Sequence, residues 1–198
     1  LFQGDFPSTL NWLEWMLLNR SVKQDSQCAA FHAAWAAVDD RVVMLAGAGG
    51  SGKSRLALQL LERGFMLGAE DVTFIDMDRL IPFPRAIQLR SDDTLLEELA
   101  AGQTFTGYDG RIDVEIGSNR AAGEKNLDQL TILFLDPSLD GAAAQPLTPL
   151  DALQRLFNLC HLLDTVTRPG FEALVSLAVT GHMLSVSPYH ALDGMAGG

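Results

Sequence analysis

Short, nearly unbroken apolar runs alternate along this chain with segments whose apolar residues recur every three or four positions. The first rhythm belongs to strands covered on both faces, the second to helices with one buried stripe. Leu10, Trp12, Leu13, Trp15, Met16 and Leu18, preceded by Ser8 and Thr9, predict a short helix. Residues 29–38 and the run Arg41–Ala46 flank Asp39-Asp40 and predict a hairpin. Leu56, Leu58, Leu60 and Leu61 predict a helix that stops at Gly64. Val72–Ile75 reads as a strand, whereas Ile81–Leu89, interrupted by Pro82 and Pro84, reads as an edge or irregular extended piece. Asp92–Ala101 predicts a short helix, Arg111–Ile116 a strand and Gly117–Asn126 a mobile loop. Leu130–Leu135 is the plainest strand and ends at Asp136. After a proline-flanked linker, helices are predicted around Leu150–Leu163 and beyond Pro169-Gly170. A closing strand at Met183–Val186 and a last short helix over Pro188–Met195 complete the pattern. Alternation of strand and helix with a strand-rich middle predicts an α/β fold on a mixed sheet flanked by helices.

Between the strand at Arg41–Ala46 and the next helix lies Gly47-Ala48-Gly49-Gly50-Ser51-Gly52-Lys53-Ser54, which satisfies G-x-x-x-x-G-K-[ST] at every position. Strand, glycine loop and helix in that order are the context the motif requires. Glycines let consecutive backbone N–H groups point at one anion, and the helix adds its positive end. The expected ligand is a nucleotide, contacted by Gly47, Ala48, Gly49, Gly50, Ser51, Gly52, Lys53 and Ser54 and the adjoining Arg55. Lys53 would reach the β- and γ-phosphates, and the Ser54 hydroxyl would sit on Mg²⁺. Asp136, at the end of an apolar strand, is one candidate for the second metal-holding acid of such sites. Glu70-Asp71, at the head of another strand, is a competing pair.

Composition narrows the partners. A length of 198 residues with 47 % apolar content suits one substantial core. Net charge −11 and pI near 4.6 argue against nucleic acid or an anionic membrane and are compatible with a basic or amphiphilic peptide partner, though solubility explains an acidic surface equally well. No apolar run approaches the ~18 residues of a membrane span, and no signal peptide is read, so the expected location is cytoplasmic. Cys28 and Cys160 lack metal-type spacing and read as reduced, part-buried thiols. Leu1-Phe2-Gln3-Gly4 reads as what remains of a cleaved linker, leaving 5–198 as one catalytic domain.

The string GSGKSRLALQLLERGFMLGAEDVTFID resembles the catalytic core of HPr kinase/phosphorylase. That family has a P-loop, a helix ending in Arg-Gly and then an acidic pair, as here at Arg63-Gly64 and Glu70-Asp71. It also carries a histidine fifteen residues before the first P-loop glycine, where this chain has His32. The Arg-Asn that comes after a Pro-Gly pair in the bacterial enzyme is missing after Pro169-Gly170. RLIPFPRAIQLR and GFEALVSLAVTGHMLSVSPYHALDGM resemble instead the smaller HPr-kinase-related proteins, among them kinases that phosphorylate lasso-peptide precursors. The resemblance implies a HPr-kinase or PEP-carboxykinase-like fold and ATP-dependent transfer of the γ-phosphate to a serine hydroxyl of a peptide. It makes Glu70 the base, gives Asp71 the Mg²⁺ together with Ser54, and has His32 tune the pair. The family usually places Asp where Glu70 stands, and the extra methylene moves that carboxylate by about 1 Å. Relatives assemble, so a homo-oligomer is compatible with the resemblance.

Arg85, Arg90 and Arg111 are candidates to clamp phosphate or a substrate carboxylate, because guanidinium forks suit both. Two other readings stand beside the kinase. One is a P-loop ATPase or nucleotide-dependent switch with Asp136 as its Walker B acid; the other is an inactive peptide-binding relative.

Overall fold

The structure is a computed structural model and describes residues 13, 16, 17, 20, 28–76, 78–83, 85–97, 104–106, 111–117, 120–139, 144–160 and 168–192. Its strands are β1 (Cys28–Phe31), β2 (Ala33–Val38), β3 (Arg41–Ala46), β4 (Met66–Ala69), β5 (Thr73–Asp76), β6 (Arg79–Ile81) and β7 (Ile87–Leu89). They continue with β8 (Thr104–Thr106), β9 (Ile112–Val114), β10 (Lys125–Asn126), β11 (Leu130–Leu135), β12 (Gln145–Pro146) and β13 (His182–Val186). The helices are α1 (Lys53–Glu62), α2 (Pro149–Leu159) and α3 (Arg168–Thr180).

A six-stranded sheet in the order β12-β13-β11-β3-β2-β4 carries the site. β3, β11 and β13 run parallel, whereas β2 and β4 join antiparallel, so the sheet is mixed as expected. Side chains alternate between its faces. Trp35, Met44, Ile132 and Phe134 meet Ala152, Leu156, Leu174 and Leu177 of α2 and α3. Ala34, Ala36, Val43, Leu45 and Leu133 meet Leu56, Ala57 and Leu60 of α1. Cover on both faces explains why these strands read as continuous apolar runs. Two smaller antiparallel sheets, β1-β5-β6-β10 and β7-β9-β8, complete the described part.

The Asp39-Asp40 hairpin forms between β2 and β3, with Asp39 at φ 51, a left-handed conformation that Asp tolerates. Four expectations differ. The first strand, read as one piece over 29–38, breaks at His32 into β1 and β2, which belong to different sheets. Met66–Ala69 is a further strand because β2 offers it a pairing edge. Asp92–Ala101 shows a 3₁₀ turn, Thr94–Glu97, in its described part, where Asp93 accepts the Leu95 N–H at 3.0 Å. Residues 188–192 are turns rather than helix. The stretch expected to be a mobile loop is tied down where it is described. Ala122 N–H donates to Leu67 O at 2.7 Å, and β10 pairs with β6. Most of the predicted helix at residues 10–18 lies outside the described residues.

Candidate active site

The chain passes from the four-stranded sheet to the six-stranded one at His32, and back again at Glu70-Asp71. Both crossings lie beside the glycine loop. His32 is fixed through its backbone, its N–H donating to Leu159 O at 2.7 Å. The buried Thr73 hydroxyl donates to Ala33 O at 2.8 Å and holds the two corners together. Asp71 has φ 66, and Val72 N–H reaches Glu70 O at 2.8 Å, closing a tight three-residue turn. A non-glycine residue in that conformation is strained, and such strain gathers where side chains must be aimed.

The glycine loop wraps its own lysine. Lys53 Nζ donates to Gly47 O at 2.8 Å and to Ala48 O at 3.1 Å, and lies 3.1 Å from His32 Nε2. An ammonium group has three protons and no lone pair, so Nε2 is the acceptor. The imidazole proton then sits on Nδ1, which faces Asp71 Oδ1 at 3.0 Å and Asp71 O at 3.2 Å. Lys53, His32 and Asp71 thus form one chain of hydrogen bonds. Ser54 Oγ donates to Glu70 Oε1 at 2.8 Å. Gly52, at the start of α1, has φ 95, open to glycine at little cost. Ser51 Oγ is buried against Gly47 and has no hydrogen-bond partner among the described residues, which leaves a donor available to a bound phosphate.

The two acids sit in opposite electrostatic states. Burial pushes the Glu70 carboxyl up to about 7, with the charge of Asp71 adding to the rise. The hydrogen bond from His32 holds Asp71 below the ordinary carboxylate range, and the charges of Arg85 and Lys53 act the same way. Burial lowers the Lys53 ammonium, against the pull of Asp71 and Glu70.

Of the three candidate arginines, Arg85 is the one whose charge acts on both Glu70 and Asp71. Its place is set by the backbone. Phe83 bridges Ala69 in parallel register and donates its N–H to Gly68 O at 2.7 Å, which brings the segment before Arg85 alongside the end of β4. Arg90 is exposed and bound to Asp92, and Arg111 is exposed and reaches Gln88 Oε1 at 3.4 Å. Arg55 is engaged by Asp93 at 3.4 Å and Thr94 at 3.3 Å rather than by the loop. Asp136 stands at the end of β11, next to the P-loop strand. Its Oδ1 accepts from Ser138 N at 3.0 Å and Ser138 Oγ at 2.6 Å. The Ser54 hydroxyl goes to Glu70 instead. Cys160 is a half-buried thiol that burial pushes up to about 11. No described helix is long and apolar enough to cross a membrane.

Sequence reasoning missed the Leu159 carbonyl and the Thr73 hydroxyl, since each acts on a residue far away in the chain. Fold and site together define an α/β domain with a glycine loop of P-loop sequence and an acidic pair at its mouth. No family model matches the chain, and no curated protein matches it. Among solved structures it is similar to the Hpr(Ser) kinase/phosphatase from Coxiella burnetii, at 17 % identity and a TM-score of 0.33. That likeness covers 60 % of this chain and 77 % of the other. A likeness so loose says nothing of activity, so any functional reading rests on the geometry of the site.

Proposed function

We propose that this chain is an ATP-dependent phosphotransferase that moves the terminal phosphate to a hydroxyl group of a peptide or small protein. The carrying observation is the convergence of Glu70 on Ser54, at 2.8 Å, and of Asp71 on the His32–Lys53 pair beside the glycine loop. A serine as acceptor, and a lasso-peptide precursor as its carrier, come from the resemblance alone.

Ser54 Oγ and Glu70 Oε1 are hard oxygen donors, and Mg²⁺ commonly takes one or two carboxylates with phosphate and water. No group of three or more His, Cys, Asp or Glu side chains among the described residues could hold a metal, which agrees with so sparse a donor set. When bound there, the ion would neutralise phosphate oxygens. The loop N–H groups and Lys53 hold the phosphates, the lysine exchanging its loop carbonyls for phosphate oxygens. The acceptor oxygen bonds to the γ-phosphorus, the bond to the β-phosphate oxygen breaks, and the hydroxyl proton passes to a carboxylate. The resemblance gives that proton to Glu70 and the metal to Asp71. Ser54's bond brings Glu70 to the metal position as well, while the His32 bond lowers the basicity of Asp71 and the raised Glu70 carboxyl suits the base.

Incubation of candidate acceptor peptides with Mg²⁺ and ATP should yield a mass gain of about 80 Da for one phosphate. Asp71→Asn should cut transfer by about 100-fold or more, whereas Asp136→Asn should leave it within about twofold. Loss of ATP turnover in Asp136→Asn, with Asp71→Asn and Glu70→Gln intact, would overturn the kinase and leave the ATPase switch.

A further inference from the structure

Along α2, whose C-terminal end reaches His32, runs a cleft that the phosphate chemistry does not use. It has a volume of about 350 Å³ and is lined by Leu147, Asp151, Gln154, Arg155 and Asn158. The last four recur at helical spacing and form one stripe along α2. Two fixtures join this stripe to the candidate active site. At the C-terminal end of α2, next to Asn158, Leu159 O holds the His32 backbone. In the middle, Arg155 donates to Ser185 Oγ at 3.2 Å and lies 5.7 Å from the centre of the Phe134 ring. Phe134 pairs directly with Ala46, the last residue before the glycine loop.

The walls are held in place. Thr148 caps α2 by accepting from Asp151 N at 3.2 Å, and its own hydroxyl donates to Asp151 Oδ2 at 2.6 Å. Leu147 N–H donates to Met183 O at 3.0 Å, which docks the near end on β13. Gln154 and Asn158 are exposed, and each carboxamide offers both a donor and an acceptor. From Asp151 to Asn158 the helix rises about 10 Å, the length of roughly three residues of extended chain. An extended backbone presents N–H and C=O groups in alternation, which the Gln154 and Asn158 carboxamides, one helical turn apart, can meet, while Asp151 and Arg155 are held by Thr148 and Ser185. An apolar ligand would leave those two carboxamides unpaired.

We infer that the α2 cleft seats an extended segment of the acceptor peptide next to its phosphorylated residue, with one end of the seat at the His32 corner. The inference rests on the kinase reading, and a single experiment separates the two. The probe is a pooled library of synthetic decapeptides, each with one central serine and a benzophenone amino acid beside it. It is offered to the protein with Mg²⁺ and ATP, and after irradiation the cross-links are mapped by mass spectrometry. The expected result is phosphorylated peptides together with cross-links between Leu147 and Asn158. Gln154→Trp, which places a large ring in the cleft from an exposed position, should abolish those cross-links. It should also raise the peptide KM at least tenfold while kcat changes little. A melting curve matching the unsubstituted protein certifies that the variant folds. Transfer with cross-links elsewhere, and a KM within twofold in Gln154→Trp, overturns the cleft and keeps the kinase. Cross-links in the cleft without transfer keep the peptide seat and overturn the kinase. Neither transfer nor cross-links in the cleft overturns both. A dimer in sedimentation that Gln154→Trp dissociates, with no peptide cross-link, assigns the surface to a second copy and overturns the peptide seat.

Discussion

Glu70 is a carboxyl group with 4 % of its surface exposed, beside a second acid and two cations. Its ordinary value of 4.5 is raised to about 7 by burial. Between those two pH values the folded chain keeps a proton that the unfolded chain has released. Stability on this account is therefore greatest below pH 4.5, declines as pH rises toward 7, and levels off above it. The size is about 3 kcal/mol in the metal-free protein. Glu70→Gln should flatten that part of the profile, a difference that urea unfolding at pH 5 and pH 8 reads directly. Arg85 belongs to the same scale. Arg85→Ala should reduce kcat/KM at least tenfold, about 1.4 kcal/mol. Arg90→Ala and Arg111→Ala should stay within twofold, since each guanidinium is exposed and occupied elsewhere. Three arginines look alike in a sequence. The Ala69–Phe83 bridge, which joins residues outside any shared local pattern, brings the segment of Arg85 to the acids, while Arg90 and Arg111 are held by Asp92 and Gln88.

At the scale of elements, β4 decides where the acids point. Trp35 pairs with Ala69 while Ala36 pairs with Leu67, so Gly68 is an extra residue in the ladder. The Trp35 ring fills the space that a side chain at 68 would need, and an added Cβ would lie 2.1 Å from ring carbons. A bulge bends its strand and re-aims the residues just beyond it, which here are Glu70 and Asp71. Gly68→Ala should therefore destabilise the protein by about 2 kcal/mol or more and depress transfer as well. Gly123→Ala, where nothing lies within 4 Å of an added Cβ, is the control and should change neither. Thermal melts of the two variants make the comparison. The bulge could not be read from Met66-Leu67-Gly68-Ala69, because four residues with a central glycine fit a turn as readily as a strand.

Across the whole molecule, the site is a seam between sheets. His32 and the acidic pair occupy the two crossings, and α1, α2 and the glycine loop close around them. Such a seam has its main cation folded inward: Lys53 is spent on Gly47, Ala48 and His32. A nucleotide that takes Lys53 and the Ser51 hydroxyl binds only the folded chain, and so stabilises it by mass action. At a hundred times its dissociation constant, Mg²⁺–ATP should add about 2.7 kcal/mol. Lys53→Ala should lose most of that gain in a ligand-dependent melting assay, whereas Asp136→Asn should keep it.

Local pattern alone was enough for the glycine loop, for α1, and for the strands β3, β5, β11 and β13. Each of these is written in consecutive residues: a motif with its flanks, a 3.6-residue stripe, or an apolar run covered on both faces. The nearness of His32 and Glu70-Asp71 to the loop was legible too, through a spacing shared with a known family. Tertiary structure alone brought the charge of Arg85 to the two acids, gave Ser54 to Glu70 rather than Asp136, broke the first strand at His32, and opened the cleft along α2. Those outcomes depend on Leu159 reaching His32, Phe83 reaching Gly68 and Ala122 reaching Leu67. Hydrogen bonds between distant backbone segments leave no mark on the order of side chains along a sequence.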